Sequence, residues 1–123
     1  MKIAIPEWSG NVCTVFDFAH WLLVVEVNGS DEVSRISIPL KEKLLIERAR
    51  KLKHLDVQLL ICGAISCPLA RIISSYGIKI ISHIRGTIDE VLNAYLTGKL
   101  DSPNFFFPGY LPRLNSIKNK YYQ

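Results

Sequence analysis

The sequence predicts an α/β protein of three layers, in which a mixed five-stranded sheet lies between helices on both faces. The first third of the chain holds short runs of β-branched and apolar residues, two of them joined by the turn signal Asn28-Gly29. After residue 40 the apolar positions follow helical spacing, and helical segments alternate with continuous apolar runs. Strand–helix–strand units of this kind pair their strands in parallel through right-handed crossovers.

The first half of the chain is predicted to be a strand, a loop and a hairpin. Residues 2–5 are expected to form the first strand, which Pro6 stops. Residues 7–20 show no clear period and predict a loop. Strands at 21–27 and 33–38 flank the Asn28-Gly29 turn, so they are expected to pair antiparallel as a hairpin.

The second half is predicted to alternate helices and strands. Helical stripes fall within 44–55, 68–76 and 88–96, and strands at 57–62 and 78–84. Several local signals mark the helix ends, namely Pro68 in a first turn, Gly77 and Gly98 as stops, and Thr87 with Glu90 as a capping box. The apolar stripe of the first helix is predicted to comprise Leu44, Leu45, Ala49, Leu52 and Leu55.

Length and charge predict one domain over residues 1–110, followed by a basic C-terminal tail at 111–123. The last fourteen of the 123 residues contain Arg113, Lys118 and Lys120 and no acid. Without these three, 12 basic residues face 11 acidic ones, so the body lacks the basic face of a nucleic-acid-binding protein. The tail is interpreted as a solvated terminus.

Hydropathy and cysteine count predict a cytoplasmic protein that does not enter a membrane. The longest apolar run, residues 59–65, has seven residues including a glycine, whereas a spanning helix needs about 20. The N-terminus reaches Glu7 too early for a signal peptide. Three cysteines, an odd number, favour free thiols in a reducing compartment.

Candidate functional residues cluster where parallel strands end, because ligands of such sheets bind beyond the carboxyl ends of the strands. The first strand ends at residues 6–8, the next parallel strand at 62–67 and the last at 83–86. The loop that holds Cys13 and Asp17 begins at the same edge. We therefore expect Cys62, Gly63 and Ser66 to share the rim of one cleft with Pro6 and Gly86.

The turn from Cys62 to Cys67 is the most informative of these segments. A strand leads through Gly63 into a helix N-terminus, which favours an anion and lowers the pKa of a thiol. This predicts metal binding or nucleophilic chemistry at Cys62. The alternative is that Gly63 serves a tight turn and Cys62 is a small buried apolar residue. The candidate cofactor-binding residues are Cys62, Gly63, Ser66, Cys67, Cys13 and His83, of which Cys62, Cys13 and His83 are candidate metal ligands.

Several function classes are excluded by residue type and spacing. Cys62 and Cys67 lack the close pairing of a zinc site, and the glycines match neither a dinucleotide fingerprint nor a P-loop. A two-metal nuclease needs carboxylates on adjacent strands, but residues 2–5 contain no acid. Asp56 precedes its strand and is expected at the opposite edge of the sheet.

Several segments, in order, resemble the dinitrogenase iron–molybdenum cofactor biosynthesis family. They are Ile3-Ala4-Ile5-Pro6, Gly10-Asn11-Val12, Phe16-Asp17 with Ala19, Leu60-Ile61-Cys62-Gly63-Ala64-Ile65-Ser66, Pro68-Leu69-Ala70, Gly77-Ile78, residues 86–100 and Phe107-Pro108-Gly109. The resemblance implies a ribonuclease H-like fold and a protein that carries iron–sulfur precursors of the nitrogenase cofactor. Relatives often have a cysteine where this chain has Tyr110, and arginine where it has Cys67.

Three functions follow as hypotheses. The first is a non-catalytic carrier of an iron–sulfur or iron–molybdenum precursor cluster that uses Cys62 with Cys13, Cys67 or His83. It acts as a monomer or homodimer and exchanges cargo with a cluster donor or acceptor protein. The second is a small regulatory or interaction module that binds an anionic metabolite or a protein without metal. The third is an enzyme with Cys62 as nucleophile, and we expect the protein not to be an enzyme.

Overall fold

In the computed structural model, which describes residues 1–106, six strands form one mixed sheet and three α-helices pack on its two faces. The strands are β1 (Lys2–Trp8), β2 (Asn11–Val12), β3 (Trp21–Asn28), β4 (Asp31–Pro39), β5 (Leu59–Ile61) and β6 (Lys79–Ile81). The helices are α1 (Leu45–His54), α2 (Cys67–Ser75) and α3 (Ile88–Leu96), and short 3-10 turns cover Phe16–Phe18 and Pro103–Phe105.

The strand order β4-β3-β1-β5-β6 confirms the predicted mixed sheet, and the short β2 adds to the end of β1. β3 pairs antiparallel with β1 and with β4, and β5 pairs parallel with β1 and with β6. The turn at Gly29 closes the β3–β4 hairpin, where Asn28 faces Asp31. The ribonuclease H-like label stays a prediction.

The prediction that Pro6 stops the first strand is wrong, because β1 continues to Trp8. Pro6 faces Leu22 of β3, and its carbonyl accepts a hydrogen bond from the amide of Cys13 on the opposite side, at 2.8 Å. Since the nitrogen and oxygen of one strand residue point the same way, the missing N–H of Pro6 faces away from β3. The ladder between β1 and β3 therefore loses nothing.

Two apolar clusters fill the space on either side of the sheet. α3 covers one face, with Ile88, Val91 and Leu92 buried against the β1, β3 and β5 side chains of that face. α1 and α2 cover the other face, where Leu52 and Leu69 are fully buried. Leu44 departs from the predicted stripe: it precedes α1 and is 60% exposed.

The helix ends follow their local signals. The hydroxyl of Thr87 accepts a hydrogen bond from the backbone N–H of Glu90 at 3.2 Å. It caps α3, as the capping-box spacing predicts. Pro68 lies in the first turn of α2, and Gly77 and Gly98 follow α2 and α3 with φ of +81° and +73°. These left-handed angles suit glycine, which has no Cβ to clash.

The C-terminal predictions fall partly outside the described residues. Phe106 is buried against the α3 cluster and Phe105 packs on it, so these two cover core. Phe107-Pro108-Gly109, Tyr110 and the predicted basic tail at 111–123 lie outside the described residues, and the domain boundary at residue 110 stays a prediction. No helix within residues 1–106 is long and apolar enough to cross a membrane.

Candidate functional site

The strand ends named as candidates meet at one edge of the sheet, as predicted. Backbone hydrogen bonds tie the strand ends to the segment that follows β1 and to one another. They join Cys13 N to Pro6 O at 2.8 Å, Ala64 N to Thr14 O at 2.8 Å, His83 N to Gly63 O at 2.9 Å and Val12 N to Gly86 O at 2.9 Å. Asp56 lies elsewhere, in a shallow cavity with Met1, Lys2 and Gly77 at the opposite edge.

The chain itself fills the crevice that we expected at this edge. A Cβ atom placed on Gly63 would lie 2.5 Å from the carbonyl oxygen of Thr14 and 2.6 Å from that of Cys13. Both distances are well inside van der Waals contact, so only glycine fits. Gly63 is therefore needed for close approach, but the neighbour is the protein's own backbone and not a ligand.

Cys62 is a core residue, and the prediction that its thiol has a lowered pKa is wrong. The side chain is fully buried in the cluster between the sheet and the α1–α2 layer. Burial raises the pKa of the Cys62 thiol far above its ordinary value, with a smaller contribution from the nearby charge of Asp17. Cys62 precedes α2 by five residues and points inward, so the helix N-terminus does not offset its desolvation. It is a neutral thiol.

A negative charge, the carboxylate of Asp17, already lies at the N-terminus of α2. The Oδ1 atom of Asp17 accepts the backbone N–H of Ser66, the N-cap residue, at 2.9 Å. The hydroxyl of Ser66 accepts the amide of Leu69 at 3.4 Å. Because α2 has no acid in its first turn, Asp17 supplies the charge that the helix dipole favours. The expected anion site at this turn is thus occupied by an internal carboxylate.

The three cysteines lie in three different environments. Cys13 is half-buried, and its Sγ lies 3.6 Å from the carbonyl oxygen of Val15, a weak hydrogen bond. Cys67 is exposed at the first position of α2. Among residues 1–106, no group of three or more His, Cys, Asp or Glu side chains is arranged to hold a metal ion. The predicted set Cys62, Cys13 and His83 therefore does not form a metal site within one chain.

A cavity beside α2 and β6 brings two of the candidates to one surface. This cavity, of about 410 Å³, we call the thiol–imidazole cavity. Its lining comprises Ile65, Cys67, Ala70, Ser74, Gly77, Ile78, Lys79, Ile80, Ser82 and His83. The Nδ1 atom of His83 lies 2.9 Å from the hydroxyl of the buried Ser82, and this hydrogen bond orients the imidazole. Cys67 and His83 are the thiol and imidazole on its wall.

Sequence reasoning missed Arg48, which is buried on the inner side of α1. Its guanidinium donates to the carbonyl oxygens of Glu42, Phe16 and Ala19 at 2.9, 3.2 and 2.8 Å. It thereby ties the 3-10 turn that carries Asp17 to the α1 layer. A signal was available, because Arg48 falls at helical spacing between Leu45 and Leu52, where the stripe is otherwise apolar.

The sequence profile of the dinitrogenase iron–molybdenum cofactor family matches residues 1–98. The match covers most of the chain, including both strand-to-helix turns and all three helices. The chain belongs to this family. Among curated proteins, none matches.

Solved structures share the fold of this family member at low sequence identity. The crystal structure of PH0822 superposes with a TM-score of 0.77 at 20% identity, covering 80% of this chain and 91% of that one. A protein of Methanocaldococcus jannaschii gives a TM-score of 0.69 at 20% identity, with coverage of 80% and 90%. The apo form of the orange protein from Desulfovibrio gigas gives 0.67 at 20% identity, with coverage of 80% and 88%. These likenesses concern the fold.

Proposed function

We propose that this protein is a non-catalytic accessory protein that holds an iron–sulfur or iron–molybdenum precursor cluster as cargo, between a donor and an acceptor protein. Membership in the dinitrogenase iron–molybdenum cofactor family supports the class of cargo. The orange protein, solved in its apo form, supports the use of this fold to hold a ligand. The observation that carries the proposal is the thiol–imidazole cavity, which both Cys67 and His83 line.

The lining of this cavity suits a metal–sulfur cargo. Thiolate and imidazole are established ligands of iron–sulfur centres. Around them the lining includes the apolar side chains of Ile65, Ile78 and Ile80. Apolar surroundings favour a polarisable sulfide cluster over a strongly hydrated ion.

The small number of protein donors is consistent with transfer and not with permanent storage. One chain offers Cys67 and His83 at this cavity, while a cluster held only by protein takes four ligands. The remaining positions would be filled by the cargo's own sulfides, by a second copy or by the partner protein. Because fewer protein bonds must break, the cargo leaves more easily.

The state of Cys62 supports a non-catalytic role. A cysteine nucleophile reacts as the thiolate, but burial raises the pKa of Cys62 and keeps it protonated. The side chain has no exposed surface from which to attack a substrate. We therefore propose that Cys62 stabilises the fold and takes no part in a reaction.

Reconstitution tests the proposal. The full chain is incubated with ferrous iron and sulfide under argon, passed through gel filtration, and its iron content is counted. Cys67→Ala and His83→Ala should each lower the bound iron, and the double variant should lose most of it. Cys13→Ala is the matched control, since it removes a free cysteine that does not line the cavity.

Equal iron in the wild type and the double variant would overturn the proposal. That result would favour the second hypothesis, a regulatory or interaction module that works without metal. Circular dichroism on every variant excludes unfolding as the cause of a loss. Iron lost equally from Cys13→Ala and Cys67→Ala would also count against this cavity, because ligation would then not depend on it.

A further inference from the structure

We propose that a second cavity binds a small organic anion, a carboxylate attached to an apolar group. This cavity, of about 490 Å³, we call the Arg48 cavity. Its lining comprises Asp17, Phe18, His20, Lys43, Leu45 and Arg48. It shares no lining residue with the thiol–imidazole cavity, so the inference does not rest on the proposed cargo function.

The hydrogen bonds that Arg48 makes within residues 1–106 leave one guanidinium nitrogen, Nη2, for a ligand. The residue is 7% exposed, and its Nε and Nη1 atoms donate to three backbone carbonyl oxygens. Nη2 makes no hydrogen bond to any residue of the described part of the chain. In that same part, every buried side-chain nitrogen or oxygen has a partner. Nη2 is therefore not fully buried, and the residue that carries it lines the Arg48 cavity.

Within residues 1–106, Arg48 is also a buried positive charge with no acidic side chain at ion-pair distance. The ion pairs within residues 1–106 involve Arg35 and Lys51 but not Arg48. Burial lowers the pKa of its guanidinium, although arginine side chains stay protonated in proteins. The nearby carboxylates of Glu42 and Asp17 offset this burial only in part, because the pKa of the guanidinium is still lowered. An anion at Nη2 would add a direct ionic hydrogen bond to this charge.

The rest of the wall favours an anion with an apolar body. Lys43 adds a second cation, and the one acid, Asp17, already accepts the N–H of Ser66 through Oδ1. Phe18 lines the same cavity and is 77% exposed, an unusual position for a phenylalanine, and Leu45 adds further apolar surface. A carboxylate would take the hydrogen bonds, while its apolar group packs against the phenyl ring.

Titration of the full chain with three probes tests this site. Amide shifts are followed by NMR at constant ionic strength with sodium benzoate, sodium acetate and benzamide. Benzoate should shift the amides of residues 17–20 and 43–48 and saturate. Acetate lacks the ring and benzamide lacks the charge, so each should bind more weakly than benzoate by about tenfold or more. Equal binding of benzoate and benzamide, or no saturable shift with benzoate, would overturn the proposal.

Two surface variants separate a site from general charge attraction. Lys43→Glu should weaken benzoate binding by about tenfold or more, because it removes a cation from the wall and adds an acid. Lys41→Glu is the matched control, with the same change of charge at an exposed lysine off the cavity wall, and should change binding less than about threefold. Equal losses would show unspecific attraction and overturn the proposal. Arg48→Lys, checked by circular dichroism, should also abolish binding. If it unfolds the chain, the two lysine variants decide.

Discussion

The two strand-to-helix turns of this protein have the same plan and different surroundings. The first joins β5 to α2 and the second joins β6 to α3, and a hydroxyl residue caps each helix. α3 begins with its own acids, Asp89 and Glu90, whereas α2 has none in its first turn and receives Asp17 from a distant segment. One turn is completed by its local sequence, and the other only by the fold.

The two turns also differ in which of their side chains reach a cavity. Cys62 and Ser82 are each the first residue after their strand, and both are buried. At the next position, Gly63 is enclosed by the backbone of residues 13–14, whereas His83 lines an open cavity. The first turn is therefore a structural junction, and the two side chains that line the thiol–imidazole cavity lie at its exit, Cys67, and on the second turn, His83.

The largest expected difference between the cysteines is in thiol labelling. Iodoacetamide should modify Cys67 quickly, while Cys62 is fully buried and reacts only when the chain opens. For a domain of ordinary stability this protection amounts to roughly a thousandfold or more in rate. Mass spectrometry of peptides from timed samples measures both rates. Cys62 labelled within tenfold of Cys67 would show that the first turn opens easily and would revive its candidacy as a ligand.

Truncating a buried leucine should destabilise the protein by a similar amount in α2 and in α3. Leu69 of α2 and Leu92 of α3 are 0% and 2% exposed, on opposite faces of the sheet. Leu69→Ala and Leu92→Ala should each lower the free energy of unfolding by about 2–5 kcal/mol. Urea unfolding followed by circular dichroism measures this, with the exposed Asn93→Ala as control. A loss below about 0.5 kcal/mol would place that helix outside the core.

Gly63→Ala tests how tightly the first turn is enclosed. The new Cβ would overlap two backbone carbonyls, which must move apart, so the variant should lose about 1–3 kcal/mol of stability. Ala64→Gly, at the adjacent half-buried position, is the control for backbone freedom and should lose about 1 kcal/mol or less. Urea unfolding curves of both variants measure these losses of stability. A fully stable Gly63→Ala would mean that residues 13–14 are not held against the turn.

The smallest predicted effect concerns the charges at the helix starts. Asp17→Asn keeps an oxygen to accept the Ser66 N–H but removes the negative charge that Asp17 places at the start of α2, and should cost about 0.3–1 kcal/mol. Glu90→Gln leaves Asp89 in α3 and should cost less. Both losses should shrink in high salt, because screening weakens interactions with the dipole. Equal losses from the two variants would mean that Asp17 is not a dedicated partner of α2.

Much of the fold could be read from local signals. The Asn28-Gly29 turn, the apolar stripes and the capping pair Thr87 and Glu90 each act within a few residues, and the structure follows them. The prediction that Pro6 ends the first strand was wrong because the effect of a proline in a strand depends on which neighbouring strand its missing N–H would face. Leu44 was wrongly assigned to the buried stripe because an apolar stripe does not show where its helix begins. The helix α1 begins one residue later.

The candidate site was predictable only in part. Connectivity alone places the carboxyl ends of parallel strands at one edge, so the meeting of Pro6, Gly63 and Gly86 followed from the sequence. The sequence did not show which residues fill that edge. Whether Cys62 faces a ligand or the core depends on the path of residues 13–17, which show no periodic pattern.

The sequence by itself determined the class of fold, the order of its elements, the ends of its helices and the resemblance to its family. Only the tertiary structure decided the state of each functional group. Packing made Cys62 a neutral core thiol, left Cys67 exposed and buried Arg48 with no ion pair to any acid of residues 1–106. The physical reason is range: propensity and capping act between neighbours in sequence, while desolvation and charge compensation depend on every segment that packs around a group.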